Sequence, residues 1–416
     1  GFWLQNGAPV RKSTGSLVRG PFLPEPEMRA YFSDGTAWQA VKNGCCGIPF
    51  RLVDVRKGDM EMPEIGMLDK NLAVMYSLGR DDIEFYDPRK EPFALYGVFF
   101  EDGQYRRMPD AAALKVSGGV RELAGYTAGG RVCFATDSDF VAISCLRPGL
   151  WLMPHMALAG SGGFDLYVRE AGKTVYYGTF MPDPKKREGY DSILSFPVKR
   201  MRELILHFPL YCGITSLAVG LEKGAALRAW DGYRIRRPVV FYGSSITEGA
   251  CASTPGNDYI GRLSRRFGFD YVNLGFSGNA KGESAMMEYI AGLDMSAFVY
   301  DYDYNAPSAE HLAATHYMGY RTVRTAHPEL PIVMASRPNY DHPREDGGAR
   351  RDIIAASYER ARSEGDTHVY FVDGAREYRT FVADGCTVDG CHPNDLGFFR
   401  MAEAFGAVME RFFDEP

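Results

Sequence analysis

No apolar stretch in this chain of 416 residues approaches the ~18 residues that a membrane-spanning helix requires. Phe93–Phe100 is the most apolar segment, and Gly97 interrupts it. No long block of basic charge is present either: 47 Lys and Arg stand against 53 Asp and Glu, a net charge of −6. That balance argues against binding nucleic acid or anionic membrane through charge alone. Cysteine is sparse, eight in all, with no Cys-x-x-Cys pair and no His at zinc-finger spacing. Such a density is far below that of a disulfide scaffold and predicts reduced thiols. Cys133 and Cys145 fall in strand-like segments and read as small core residues. The first residues lack the basic and apolar regions of a secretory signal, so a cytoplasmic location is expected; a start at Gly1 leaves secretion open, with a leader already removed. There is no internal repeat and no low-complexity segment.

What is present is globular in composition, with 45% hydrophobic and 24% charged residues. The length predicts two or three domains. Residues 1–230 are rich in Gly, aromatic and β-branched residues. Short alternating runs such as Arg131–Ala135, Phe140–Cys145 and Glu203–Phe208 are punctuated by Asp102-Gly103, Gly129-Gly130 and Gly162-Gly163. Many short strands with frequent turns predict an all-β sandwich of jelly-roll type. From Arg237 onward the period changes. Apolar runs at 238–242, 271–274, 297–300, 331–335 and 368–372 alternate with helix-period segments near 257–268, 283–292, 308–327, 345–364 and 394–413. This is the pattern of an α/β domain, a five-stranded parallel, doubly wound sheet covered on both faces. The boundary falls in the polar stretch 231–237, giving domains 1–230 and 231–416.

In an open α/β sheet, ligands bind beyond the carboxyl ends of the strands. After the first strand comes Gly243-Ser244-Ser245, a sharp strand-to-helix turn that holds a Ser near the positive end of a helix dipole. The same residues also fit a plain helix N-cap. After the second comes Asn273-Leu274-Gly275-Phe276-Ser277-Gly278, where Gly278 could present a bare N–H to a developing negative charge or be an ordinary turn glycine. After the third comes Asp301-Tyr302-Asp303-Tyr304-Asn305, with a side-chain amide at Asn305. Past the fifth comes Asp389-Gly390-Cys391-His392. An Asp three residues before a His can accept the Nδ1–H bond and leave Nε2 free to take a proton. Asn394 or Asp395 would cap the last helix. Each signal is weak alone. At successive strand ends of one sheet they form the kit for acyl transfer through a serine ester: nucleophile, base, orienter and oxyanion donors.

With these residues in this order, the second half resembles the SGNH hydrolases, or GDSL esterases, whose fold is flavodoxin-like. Gly243-Ser244-Ser245 is similar to their first block, with Ser244 where the family name has Asp. Gly278, Asn305 and Asp389-x-x-His392 correspond to the later blocks, the third loosely. Gly163-Phe164-Asp165-Leu166-Tyr167 resembles the Gly-x-Asp-Leu-Tyr signature of a β-sandwich found before some of these esterases. The resemblance implies Ser245, Asp389 and His392 as catalytic residues, and Ser245, Gly278 and Asn305 as the oxyanion hole. Asp165 reads equally as a turn residue or a substrate contact.

The expected activity is hydrolysis of small acyl esters, acetyl first, on O-acylated sugars. The competing readings are an acyltransferase with the same triad and a non-catalytic carbohydrate-binding protein. Arg337, after the fourth strand, is a candidate substrate contact or the partner of Asp301 or Asp303. No cofactor, metal, nucleic acid or membrane span is expected. Asp301, Asp303, Asp341 and His342 form no known ligand pattern, so the acids are expected as solvated loop residues. Cys251 is expected to pack rather than to act as a second nucleophile. Cys386 and Cys391 flank Asp389 and are expected as thiols. The sequence is silent on oligomeric state.

Overall fold

The computed structural model of the protein describes residues 69, 74 and 78–414, apart from 171, 339–345, 379 and 382, together with five short strands before residue 56. Asp341, His342, Cys45 and Cys46 lie outside the described residues. The chain divides into two compact units, Gly1–Val74 and Met75–Pro416. The first holds an antiparallel sheet in the order Pro9–Val10, Phe2–Trp3, Arg29–Tyr31, Ala37–Val41, Arg51–Val55.

The second unit contains both the β-rich segment and the α/β segment. Two antiparallel sheets make up most of the former, beside a two-stranded hairpin of Phe99–Glu101 and Gln104–Arg106. One runs Lys173–Phe180, Phe164–Glu170, Arg202–His207, Arg131–Thr136, Leu227–Arg228, with Ala94–Tyr96 also pairing on Arg131–Thr136. The other runs Gly189–Ser195, Phe140–Leu146, Ser216–Glu222, Ile83–Tyr86. Alternation along each strand sends one set of side chains inward. Val132, Phe134, Leu204 and Leu206 of the first sheet meet Val141, Ile143, Leu217 and Val219 of the second in one core. The strand Arg131–Thr136 is buried along its whole length because its other face is covered too. Cys133 packs there with Tyr167, Ile205, Trp230 and Tyr233. Arg131 reaches out of the same face to Asp270 at 2.6 Å and lies 3.6 Å over the Tyr271 ring. Both partners belong to the α/β segment, so the sandwich is fastened beside it by a buried charge as well as by apolar packing.

The α/β segment is a parallel sheet of Ile235–Gly243, Phe269–Gly275, Ala297–Asp301, Ile332–Ala335 and Val369–Val372. In space the second strand lies outside the first, and the third, fourth and fifth follow on its other side. This doubly wound order has the carboxyl ends of the strands along one edge. Helices Tyr259–Phe267 and Asp395–Met409 cover one face through Ile260, Leu263, Phe398 and Phe405. Ser284–Ala291, Ala309–Ala326 and Gly347–Ser363 cover the other through Met286, Leu312, Tyr320 and Ile354. Each predicted strand and helix is present, with ends displaced by a few residues.

Candidate active site

The first parallel strand ends at Gly243, and a one-turn helix, Ser245–Glu248, begins two residues later. A methyl group on Gly243 would lie 2.0 Å from Thr247 Oγ1 and 2.2 Å from the Asp301 carbonyl oxygen, so only glycine permits this turn. The capping function falls on Ser244, whose hydroxyl accepts the Ile246 N–H at 3.2 Å. Ser245 is thereby released from capping. Its Oγ lies 2.9 Å from His392 Nε2.

The loop that carries His392 is fixed at both ends. Asn394 caps Asp395–Met409, accepting the Gly397 N–H at 3.1 Å, and donates to the Gly385 carbonyl at 2.7 Å. Asp395, the other expected cap, instead accepts from the Ser253 N–H at 2.9 Å and hydroxyl at 2.6 Å. Asp389 Oδ2 lies 2.7 Å from His392 Nδ1, while Oδ1 accepts the N–H groups of Cys391 and His392 at 3.0 and 2.8 Å. Partial burial raises the Asp389 carboxyl, but His392 and these amides outweigh it and hold the group down to about 2. Cys386 is a free thiol. Cys251 is buried, and burial pushes its thiol up to about 12, which fits a packing role.

The second and third blocks converge on the same edge. Gly278 is exposed in the left-handed region, φ +68°, and among the described residues no acceptor takes its N–H. Asn305 approaches that loop, with its amide oxygen 3.5 Å from the Ala280 N–H. Arg350 holds the Asn305 loop by donating to the carbonyls of Asp303 and Ala306 at 2.7 and 3.0 Å.

Arg337 is 1% exposed and contacts Asp303 through both Nε and its backbone N–H at 3.3 Å, the acid pairing that the sequence offered beside a substrate contact. One expectation is corrected here. Asp301 and Asp303 are buried rather than solvated, at 5% and 1% exposure. Burial, then the neighbouring Asp303, pushes the Asp301 carboxyl well above the usual range. The reason is topological: the third strand is the middle of the sheet, and its end is roofed by the loops on either side.

Several residues behind the site have no sequence signature. Glu248 closes the helix that starts at Ser245, and its side chain is fully buried. It accepts the Ser277 N–H at 3.0 Å and pairs with Arg107 at 3.2 Å. Arg107 also donates to the carbonyls of Asn273 and Gly275 at 3.1 and 2.7 Å, the end of the second strand. Burial pushes the Glu248 carboxyl up to about 7, against the pull of Arg107. Tyr211 donates to the Ser245 carbonyl at 3.1 Å and lies 3.1 Å from Ser277 Oγ. Both Arg107 and Tyr211 come from the β-rich segment, so the sandwich braces the turns bearing Ser245 and Gly278. Asp165 joins the two segments at a second point: one carboxylate oxygen lies 2.8 Å from His207 Nδ1, and the other accepts the Gly256 N–H at 2.7 Å. It is fully buried and so structural.

A parallel sheet whose strand ends gather a Ser–His–Asp relay and unpaired N–H donors defines an acylhydrolase of the serine type. Residues 236–410 match the GDSL-like Lipase/Acylhydrolase family, and residues 83–227 match the N-terminus of Esterase_SGNH_hydro-type. The two matches, in this order along the chain, support an ester-hydrolysing enzyme. A protein described as a GDSL-like lipase from Bacteroides ovatus is 29% identical, with TM-score 0.71, over 80% of this chain and 99% of that one. The salicylyl-acyltransferase SsfX3 of a tetracycline biosynthetic pathway shares the fold at 20% identity and TM-score 0.67, over 80% and 98%. An acetyl xylan esterase from Butyrivibrio proteoclasticus shares it at 12% identity and TM-score 0.50, over 79% and 98%. No curated protein matches the chain. Among the described residues, no helix is long and apolar enough to cross a membrane.

Proposed function

We propose that the protein removes small acyl groups, acetyl in the first place, from hydroxyls of a carbohydrate through an acyl-serine intermediate. The observation that carries this is the relay Ser245 Oγ–His392 Nε2 at 2.9 Å and His392 Nδ1–Asp389 at 2.7 Å. His392 takes the Ser245 proton as Oγ bonds to the ester carbonyl carbon. The oxyanion so formed is held by the N–H groups of Ser245 and Gly278 and by the Asn305 amide. The C–O bond to the alcohol breaks, and His392 returns the proton to the leaving oxygen. Water then repeats the sequence and frees Ser245.

The carbohydrate reading is supported by the fold shared with an acetyl xylan esterase. A cleft of about 860 Å³ lined by Tyr126, Trp151, Arg121 and Glu122, and by none of the triad residues, offers groups suited to stacking and hydrogen bonding with a polyhydroxyl. Tyr126 packs on Tyr211, which bonds the Ser245 carbonyl. Ser245→Ala should abolish turnover of p-nitrophenyl acetate; wild-type-like turnover by that variant would overturn the assignment. Acetate release from a panel of acetylated oligosaccharides tests the alcohol. Transfer is a second reading, favoured by the fold shared with an acyltransferase. Trapping the acyl-enzyme and comparing water with sugar acceptors separates the two.

A further inference from the structure

A second set of donors lies against His392, on residues that the hydrolytic mechanism does not use. His155 lies in the segment after the strand Phe140–Leu146, Cys251 follows the nucleophile helix, and His392 precedes the last helix. One ligand atom from each lies within 4.8 Å of the other two. The imidazole rings of His155 and His392 are 6.0 Å apart. Cys251 is held in place by its turn: its backbone has φ +71°, and the neighbouring Ala250 N–H and Ala252 N–H bond to Ser245 and Gly249. His155 is exposed, so an ion has a path from solvent.

We propose that His155, Cys251 and His392 form a binding site for a thiophilic divalent cation of the zinc type, and that its occupancy switches off ester hydrolysis. Two nitrogens and one sulfur, with no carboxylate among them, are the donors of Zn²⁺ and not of Mg²⁺ or Ca²⁺. Bond lengths of ~2.0–2.3 Å place tetrahedral ligand atoms ~3.3–3.8 Å apart, so the cluster must close by ~1 Å. Side-chain rotation, chiefly of the exposed His155 and with Cys251 and His392 adjusting, supplies that movement. On binding, the Cys251 S–H bond breaks, a Zn–S bond forms and the proton passes to solvent. His392 Nδ1 is committed to Asp389, so the ion takes the Nε2 lone pair. That is the lone pair to which Ser245 must give its proton. The fourth position is left to water. The inhibitory half of the proposal rests on His392 being the base; the binding half rests on geometry alone.

The test is calorimetric titration of ZnCl₂ into EDTA-treated, desalted protein, with MgCl₂ as control and p-nitrophenyl acetate turnover followed at the same concentrations. One equivalent of zinc should bind, magnesium should not, and activity should fall with the same midpoint. His155→Ala and Cys251→Ser should each weaken zinc binding by about 10-fold or more while leaving zinc-free turnover unchanged. Absence of zinc binding, or unchanged binding in both variants, would overturn the site. Zinc binding with full activity would overturn the inhibition. Should Cys251→Ser fail to fold, the exposed His155→Ala decides alone. If Ser245→Ala kept its turnover, the serine mechanism would fail while the zinc titration stood unaffected.

Discussion

The Arg107 guanidinium meets the Glu248 carboxylate at 3.2 Å, and neither side chain has any exposed surface. One partner belongs to the sandwich, and the other closes the helix begun by Ser245. Removing one half of a fully buried pair leaves the other charge without solvent or counter-ion, at a cost of ~3–5 kcal/mol. Arg107→Met should therefore lower unfolding stability by that order in urea. Adding Glu248→Gln should recover part of the loss, which a double-mutant cycle would read.

Tyr211 gives a gentler probe of the same bracing. Tyr211→Phe keeps the ring and removes the hydroxyl's bond to the Ser245 carbonyl, its contact with Ser277 Oγ and its interaction with Glu248. If one hydrogen bond of ~0.5–1.5 kcal/mol is lost from the transition state, kcat should fall by ~2–13-fold. KM should hold, since no substrate contact is lost. A change confined to KM would show that Tyr211 meets substrate instead.

Asn305→Ala should lower kcat by ~10²–10³ with little change in KM, the signature of a donor used in the transition state. Steady-state kinetics on p-nitrophenyl acetate reads the split.

Asp389 links activity to stability. Asp389→Asn should lower kcat by ~10³–10⁴, because the amide no longer enforces the imidazole tautomer. The folded carboxyl sits at about 2, below its ordinary value of 3.8. Its stabilising contribution is therefore complete above pH 3.8 and lost as pH falls through 2. The difference in melting temperature between wild type and Asp389→Asn should shrink over that interval. A constant difference would show that the carboxylate contributes nothing to the fold.

The α/β half was legible because its signals are local. Apolar runs bounded by turn residues mark buried parallel strands, and Ser245, Gly278, Asn305 and the Asp389–His392 pair each follow one. The support behind them was not legible. Arg107 and Glu248 are 141 positions apart, and Tyr211 and Ser245 are 34 apart. No period or motif connects positions so distant, because only tertiary packing brings them together. Asp301 and Asp303 misled for a related reason: acidic residues after a strand are usually solvated, whereas these lie under the roof of a central strand. Ser244 is the converse case, since its cap bond to Ile246 explains how the neighbouring Ser245 hydroxyl becomes available.

Asp165 in the Gly-Phe-Asp-Leu-Tyr run has a consequence for engineering. Its carboxylate ties His207 of the sandwich to the Gly256 amide of the hydrolase segment. A truncation carrying only residues 231–416 would trade those counterparts for water at that amide, the Glu248 carboxylate and the Asp270 carboxylate, and would expose the apolar surface the sandwich covers. The hydrolase segment alone should therefore be less stable than the whole chain. Chimeras that exchange the sandwich must carry over Arg107, Arg131, Asp165 and Tyr211 as a set.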